Sequence, residues 1–228
     1  EQWAGAAIAG PKSREVLNQC VLNPSEITNE NLPFMGVLST KLKDGTPCRV
    51  VRISFSGELA YEMYIESDYA HGMMDLLWET AQKFDGCLYG LEALGALRVE
   101  KGHVTGAELD GRVTIDDAGL GKMASTKKSY IGSAMRKRGS LSADDREILV
   151  GFFPANPKET FNAGTIVCEQ NNIKGQGIGR ITSVTHSPEL GHWIGIGFVK
   201  GGLDKWKDIT LVGADPVRHK QMKIKVVS

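Results

Sequence analysis

No two of the four cysteines, Cys20, Cys48, Cys87 and Cys168, are spaced as a CxxC pair. Their scatter argues against a zinc ribbon and fits a reducing, cytoplasmic compartment. No apolar run approaches the about eighteen residues that a membrane-spanning helix needs. Net charge is missing as well: 27 basic residues balance 27 acidic ones, so no overall field favours nucleic acid or a membrane surface. His71, His103, His186, His192 and His219 never fall two to four apart on one predicted face, which argues against a metal site. There is no GxSxG, no GxGxxG after a strand, no Walker loop and no HExxH. Repeats, low-complexity tracts and a signal peptide are absent too. The chain lacks an initiator methionine and opens at Glu1-Gln2-Trp3, directly before an apolar run, so the expectation is a fragment of a longer protein.

What is present is ordinary globular material: 228 residues, 41% hydrophobic and 24% charged, enough for one large domain or two small ones. Ala6 to Ala9 reads as a strand. Pro11 suits the first turn of a helix whose stripe is Val16, Leu17, Cys20 and Val21. Phe34–Lys43 and Pro47–Phe55 read as strands joined by Asp44-Gly45, a strong hairpin signal. Leu59–Ile65 is a further strand. Ser67 or Asp68 caps a helix running to about Phe84 that should bury Met73, Met74, Leu77 and Trp78. Val104–Ser125, rich in Gly, Asp and Thr, reads as an ordered excursion, and a short helical piece is expected from Lys127 to Gly132. The charged stretch 136–147 is the candidate linker between domains 1–135 and 148–228. Beyond it, Ile148–Phe153, Thr165–Glu169, Gly177–Ser183, Trp193–Val199, Ile209–Val212 and Lys220–Val227 are six short strand-like runs. The expected fold is α+β, a mostly antiparallel sheet with helices on one face, followed by a small all-β barrel or jelly-roll-like domain. Gly175-Gln176-Gly177-Ile178-Gly179 lies among these strands without a following helix, which favours a β-turn over a phosphate cradle.

Tyr89 to His103 stands at the centre. Leu91, Leu94 and Leu97 recur every three residues with Val99 extending the apolar set, Gly90 opens the segment and Gly102 closes it, which predicts a short amphipathic helix. Glu100 is out of place there. An anion in the last turn meets the negative end of the helix dipole, at a cost of a few tenths to about 1 kcal/mol. It needs a partner: Arg98, Lys101 or another base in an ion pair, or a ligand.

Three stretches read together carry a resemblance: Ile53-Ser54-Phe55-Ser56-Gly57-Glu58-Leu59-Ala60-Tyr61-Glu62, then Tyr89 to His103, then Leu120-Gly121 to Ser125-Thr126-Lys127-Lys128-Ser129-Tyr130-Ile131-Gly132. They resemble the folate-binding region of the sarcosine oxidase α subunit, which is similar to the glycine-cleavage T-protein, an aminomethyltransferase. Gly179 to Gly195 resembles the C-terminal barrel of the same superfamily. SFSGELAYE and the EKGH ending look like sarcosine oxidase more than T-protein.

The resemblance implies tetrahydrofolate as ligand, with Glu100 gripping the pterin. A pterin edge offers an N–H and an amino group side by side, and one carboxylate accepts both in a fork. Aspartate falls a methylene short, and glutamine misplaces a donor. Tyr89 either packs near that ring or is a core tyrosine. Lys127 and Lys128 either meet the folate's glutamate tail or are a solvated basic pair. Ser187-Pro188 and Trp193 are read as structural to the barrel. The implied chemistry is transfer of the one-carbon unit of a sarcosine-derived imine to tetrahydrofolate, giving glycine and 5,10-methylenetetrahydrofolate. The resemblance places FAD, FMN and NAD elsewhere in a complex with β, γ and δ subunits, and the family's catalytic aspartate ahead of Glu1. By itself this chain is expected to have no oxidase activity. A stand-alone aminomethyltransferase and a non-catalytic folate-binding scaffold remain as alternatives.

Overall fold

A computed structural model describes residues 2–228, and the chain divides into two compact units, residues 1–97 and 98–228. The first unit contains β1 (Trp3–Ala9), α1 (Ser13–Cys20), β2 (Val37–Lys41), β3 (Pro47–Val51), β4 (Ala60–Glu66) and α2 (Ala70–Gln82). Its four strands form an antiparallel sheet in the order β1-β4-β3-β2. Tyr61, Met63 and Ile65 alternate along β4 and point inward, as the two-residue period of a strand demands. Leu17 and Cys20 of α1 and Met73 and Leu77 of α2 pack on them, so both helices cover one face. The hairpin turn is as expected: Gly45 takes φ 90°, and the Thr46 N–H donates to Asp44 Oδ1 at 2.9 Å.

Several details differ from expectation: β3 stops at Val51, α2 starts at Ala70 with Tyr69 and not Ser67 or Asp68 at its N-cap, and Trp78 is only half-buried. The α2 core stripe is Met73, Leu77 and Thr80, spaced one turn apart, and it leaves Met74 42% exposed. Strand β2 starts at Val37 and not at Phe34. A turn at Pro33 intervenes, with the Gly36 N–H donating to the Pro33 carbonyl at 2.8 Å and Met35 at φ 66°.

Helix α3 (Leu91–Lys101) spans the division between the units. The apolar set finds the helix, and of its members Val99 is the buried one. Leu91, at the first position with no earlier turn to cover, is 87% exposed, whereas Val99 is buried against Ile194 and Ile196.

The second unit holds the remaining strands: β5 (Glu147–Pro154), β6 (Ile166–Cys168), β7 (Gly179–Ser187), β8 (His192–Lys200), β9 (Thr210–Ala214) and β10 (Gln221–Val227), with α4 (Gly202–Trp206) between β8 and β9. All six strand-like runs are strands, and they close into an antiparallel barrel in the order β10-β5-β8-β7-β6-β9. Phe152, Phe161, Ile181, Leu211 and Ile224 fill it. Where β7 and β8 cross, a Cβ on Gly197 would lie 2.2 Å from the Arg180 carbonyl oxygen, so only glycine fits. Strand β7 runs four residues beyond its expected end, past a register shift between Ile181 and Ser183, and reaches Ser187. The segment 136–147 lies inside this unit, with single 3-10 turns at Met135–Lys137 and Gly139–Leu141. No regular helix forms over 127–132; that stretch is turn and irregular backbone. Among the described residues no helix is long and apolar enough to cross a membrane, and no His/Cys/Asp/Glu cluster is arranged to hold a metal ion.

Candidate functional site

The C-terminal end of α3 is fixed before any side chain acts. Gly102 adopts φ 73°, the Gly102 N–H donates to the Val99 carbonyl at 3.0 Å, and the His103 N–H donates to the Arg98 carbonyl at 2.8 Å. This is a Schellman cap, and it sets the backbone of the turn that carries Glu100. The Glu100 carboxylate finds a hydroxyl: Ser187 Oγ donates to Oε1 at 2.5 Å. Ser187 is completely buried at the end of β7. Its oxygen accepts the Leu190 N–H at 3.1 Å, which leaves the hydroxyl proton for Glu100.

Arg98, the first expected partner, turns to Glu108 at 2.9 Å instead. Glu108 has no exposed surface. Its Oε2 accepts the Arg98 guanidinium and the Thr105 N–H, both at 2.9 Å, while Oε1 accepts the hydroxyls of Ser183 at 2.6 Å and Thr182 at 2.7 Å. Arg98 also donates to Ser183 Oγ at 2.7 Å. Burial pushes the Glu108 carboxyl up, but the bonds from Ser183, Thr182 and Thr105 and the charge of Arg98 outweigh it, and the net shift is down. Asp117 repeats the pattern: nearly buried, it accepts Arg146 and the Thr114 N–H and is likewise held below its ordinary value against the effect of burial.

Glu100 lines a cavity of about 450 Å³ in the second unit. Val99, Leu149, Phe153, Ile194 and Ile196 make its apolar wall, and Glu100, Lys101 and Glu189 are its charged groups. A carboxylate at an apolar wall of this size suits a flat ligand with a donor-rich edge. Lys127 and Lys128 line another cavity of the same unit, about 720 Å³, beside Tyr130 and an Arg136–Asp116 pair bonded at 2.5 and 2.6 Å. Tyr89, 39% exposed, belongs to the first unit and lines a cavity of about 420 Å³ there, among Ala6, Val16, Leu77 and Trp78. The lysines are thus together, Glu100 stands apart from them, and Tyr89 is in neither group.

Sequence reading passed over Ser187 as a barrel turn and did not single out Glu108, Thr182 or Ser183. A signal existed. Thr105-Gly-Ala-Glu108 and Thr114-Ile-Asp-Asp117 both have the Thr-x-x-acid spacing in which an acid reaches back to the threonine N–H.

A family model described as the GCVT N-terminal domain matches residues 1–128, and one described as the glycine cleavage T-protein C-terminal barrel domain matches residues 148–228. The chain belongs to the glycine-cleavage T-protein family. Within this family it is 37% identical to the "Sarcosine oxidase subunit alpha" of Rhizobium meliloti, over 93% of the chain and 22% of that protein. It is 30% identical to the aminomethyltransferase of Halothermothrix orenii, over 88% of the chain and 54% of that protein. The crystal structure of the glycine cleavage system aminomethyltransferase T from Bartonella henselae shares the T-protein fold, with a TM-score of 0.78 and 21% identity over 99% of this chain and 58% of that one. The chain spans about a fifth of the length of the sarcosine oxidase relatives.

Proposed function

We propose that this chain is the tetrahydrofolate-binding region of a sarcosine oxidase α subunit, and that the intact protein forms glycine and 5,10-methylenetetrahydrofolate from oxidised sarcosine. The observation that carries the reading is Glu100: a carboxylate in the wrong turn of its helix, held by Ser187 at the wall of an apolar cavity. The relatives named sarcosine oxidase subunit alpha, 30–37% identical over about nine-tenths of the chain, support the choice among folate-dependent chemistries. Bound tetrahydrofolate would supply the nitrogen nucleophile that takes up a one-carbon unit. The chain's own part is to hold that ligand and keep water away. Glu100 accepts the paired N–H donors of the pterin edge, and Val99, Phe153 and Ile194 shield the ring. Lys127 and Lys128 meet the carboxylates of the glutamate tail.

The test is Glu100→Ala in the intact complex supplied with sarcosine and tetrahydrofolate. The methylenetetrahydrofolate yield should fall at least tenfold, the value of about one charge-assisted hydrogen bond, while sarcosine oxidation continues. An unchanged yield removes Glu100 as the anchor. The match to aminomethyltransferases over both halves of the chain keeps a glycine-cleavage-type transferase as second reading. Methylene transfer from an aminomethylated lipoyl protein, with no response to sarcosine, would establish that reading instead.

A further inference from the structure

We infer that Ser187 is a positioning residue: it selects ligands with a donor-paired edge by fixing the orientation of the Glu100 carboxylate that faces them. The inference rests on the pterin reading of Glu100. A glutamate has three rotatable side-chain bonds, and near the carbonyl end of a helix the dipole pushes its charge away. Left alone, such a group sweeps a wide arc and makes a poor two-point acceptor, since a site of this kind must be held within about half an ångström.

Three features of β7 remove that freedom. Ser183 and Ser187 are four residues apart, so they lie on the same face of the strand. Ser183 takes the Arg98 guanidinium at 2.7 Å, and Ser187 takes the Glu100 carboxylate at 2.5 Å, so one strand grips the final helical turn at two points. The Ser187 hydroxyl cannot rotate away, because its oxygen is claimed by the Leu190 N–H and its proton has one acceptor, Glu100 Oε1. Burial keeps water from competing for that proton. Ser187 takes one lone pair of Oε1, which fixes the carboxylate plane and leaves the other lone pair of Oε1 and all of Oε2 for the ligand. Specificity follows: a ligand with two adjacent N–H donors gains from both oxygens, whereas a ligand with one donor gains from one alone.

The experiment compares tetrahydrofolate with its 2-desamino analogue by calorimetry on the intact protein, in wild type, Ser187→Ala, Ser187→Gly and Glu100→Gln. Wild type should favour the amino form. Both Ser187 variants should lower that preference about tenfold, as expected for losing one bond to a charged group, with the affinity for the desamino analogue and the thermal midpoint near wild type. Glu100→Gln should abolish the preference. Equal weakening of both ligands in the Ser187 variants would show a merely structural serine and overturn the inference. So would an unchanged preference. If Glu100→Gln itself keeps the preference, the pterin reading fails, and that outcome is distinct from the other two.

Discussion

A carboxylate with no exposed surface persists as an ion only when its lone pairs are engaged, and Glu108 meets that condition with five donors from Arg98, Thr105, Thr182 and Ser183. Removing it leaves Arg98, with 13% of its side chain exposed, without its counter-charge. Glu108→Ala should therefore cost about 3–5 kcal/mol in chemical denaturation. The acid response has a definite sign. His103 is held below its ordinary value by burial and by Lys101 and Arg98, and Glu108 and Asp117 also end below theirs. Each depressed value means that the unfolded chain binds protons more readily, so stability falls as pH falls. The first loss should begin as pH drops below 6.5, the ordinary histidine value, and the second below the carboxylate values of 4.5 and 3.8. His103→Gln should erase the first limb and leave the second, as urea midpoints measured from pH 8 to pH 3 will show. At this scale the sequence was half legible. The oddity of Glu100 was visible from helix polarity alone. Its partner was not, because Ser187 lies 87 positions away and only barrel closure brings it near.

Among the elements, α3 and the β7–β8 pair offer contrasting glycine tests. Gly95, inside α3, has open space where a Cβ would stand. Gly95→Ala should stabilise the helix by about 0.5–1 kcal/mol through backbone entropy. Gly102 also has open space, but its φ of 73° is left-handed. Gly102→Ala should cost about 1–2 kcal/mol, all of it conformational. Gly197→Ala drives a methyl against backbone in the closed barrel, so the variant should be lost to inclusion bodies or melt far below wild type in a thermal scan. The strands and the longer helices were readable, since alternation and helical spacing are local; the helical piece expected at 127–132 does not form, and α4 carried no such signal. Boundaries were not readable. The Pro33 turn shortened β2, the bulge lengthened β7, and the α2 stripe depended on which face met Tyr61 and Met63.

For the molecule as a whole, the cysteine count makes a plain prediction. All four thiols are free, and Cys20, Cys48 and Cys168 are buried. Burial raises all three, with Cys48 reaching about 11 as nearby Asp44 adds its charge. A thiol-specific chromophoric reagent at pH 8 should modify Cys87 alone in the native protein and all four residues in denaturant. Fold class was legible at this scale because six short strand-like runs have few arrangements other than a sandwich or a barrel. Composition does not show that the residues on either side of the charged run 136–147 are bonded to one another: Arg98 and Glu108 reach across it to Ser183 and Thr182, and Asp117 takes Arg146 from inside it.

That wiring bears on how the barrel can be excised. A gene cut at residue 148, where the texture of the sequence changes, would discard the acid that Thr182 and Ser183 were built to serve and the guanidinium that balances it. Two hydroxyls packed for partners would then face a hole. A start ahead of Leu91 keeps the whole helical rod, its glycine stop and both Thr-x-x-acid clasps. Of the two polypeptides, the longer should be recovered as soluble protein, and the shorter should be cleared by the host's proteases.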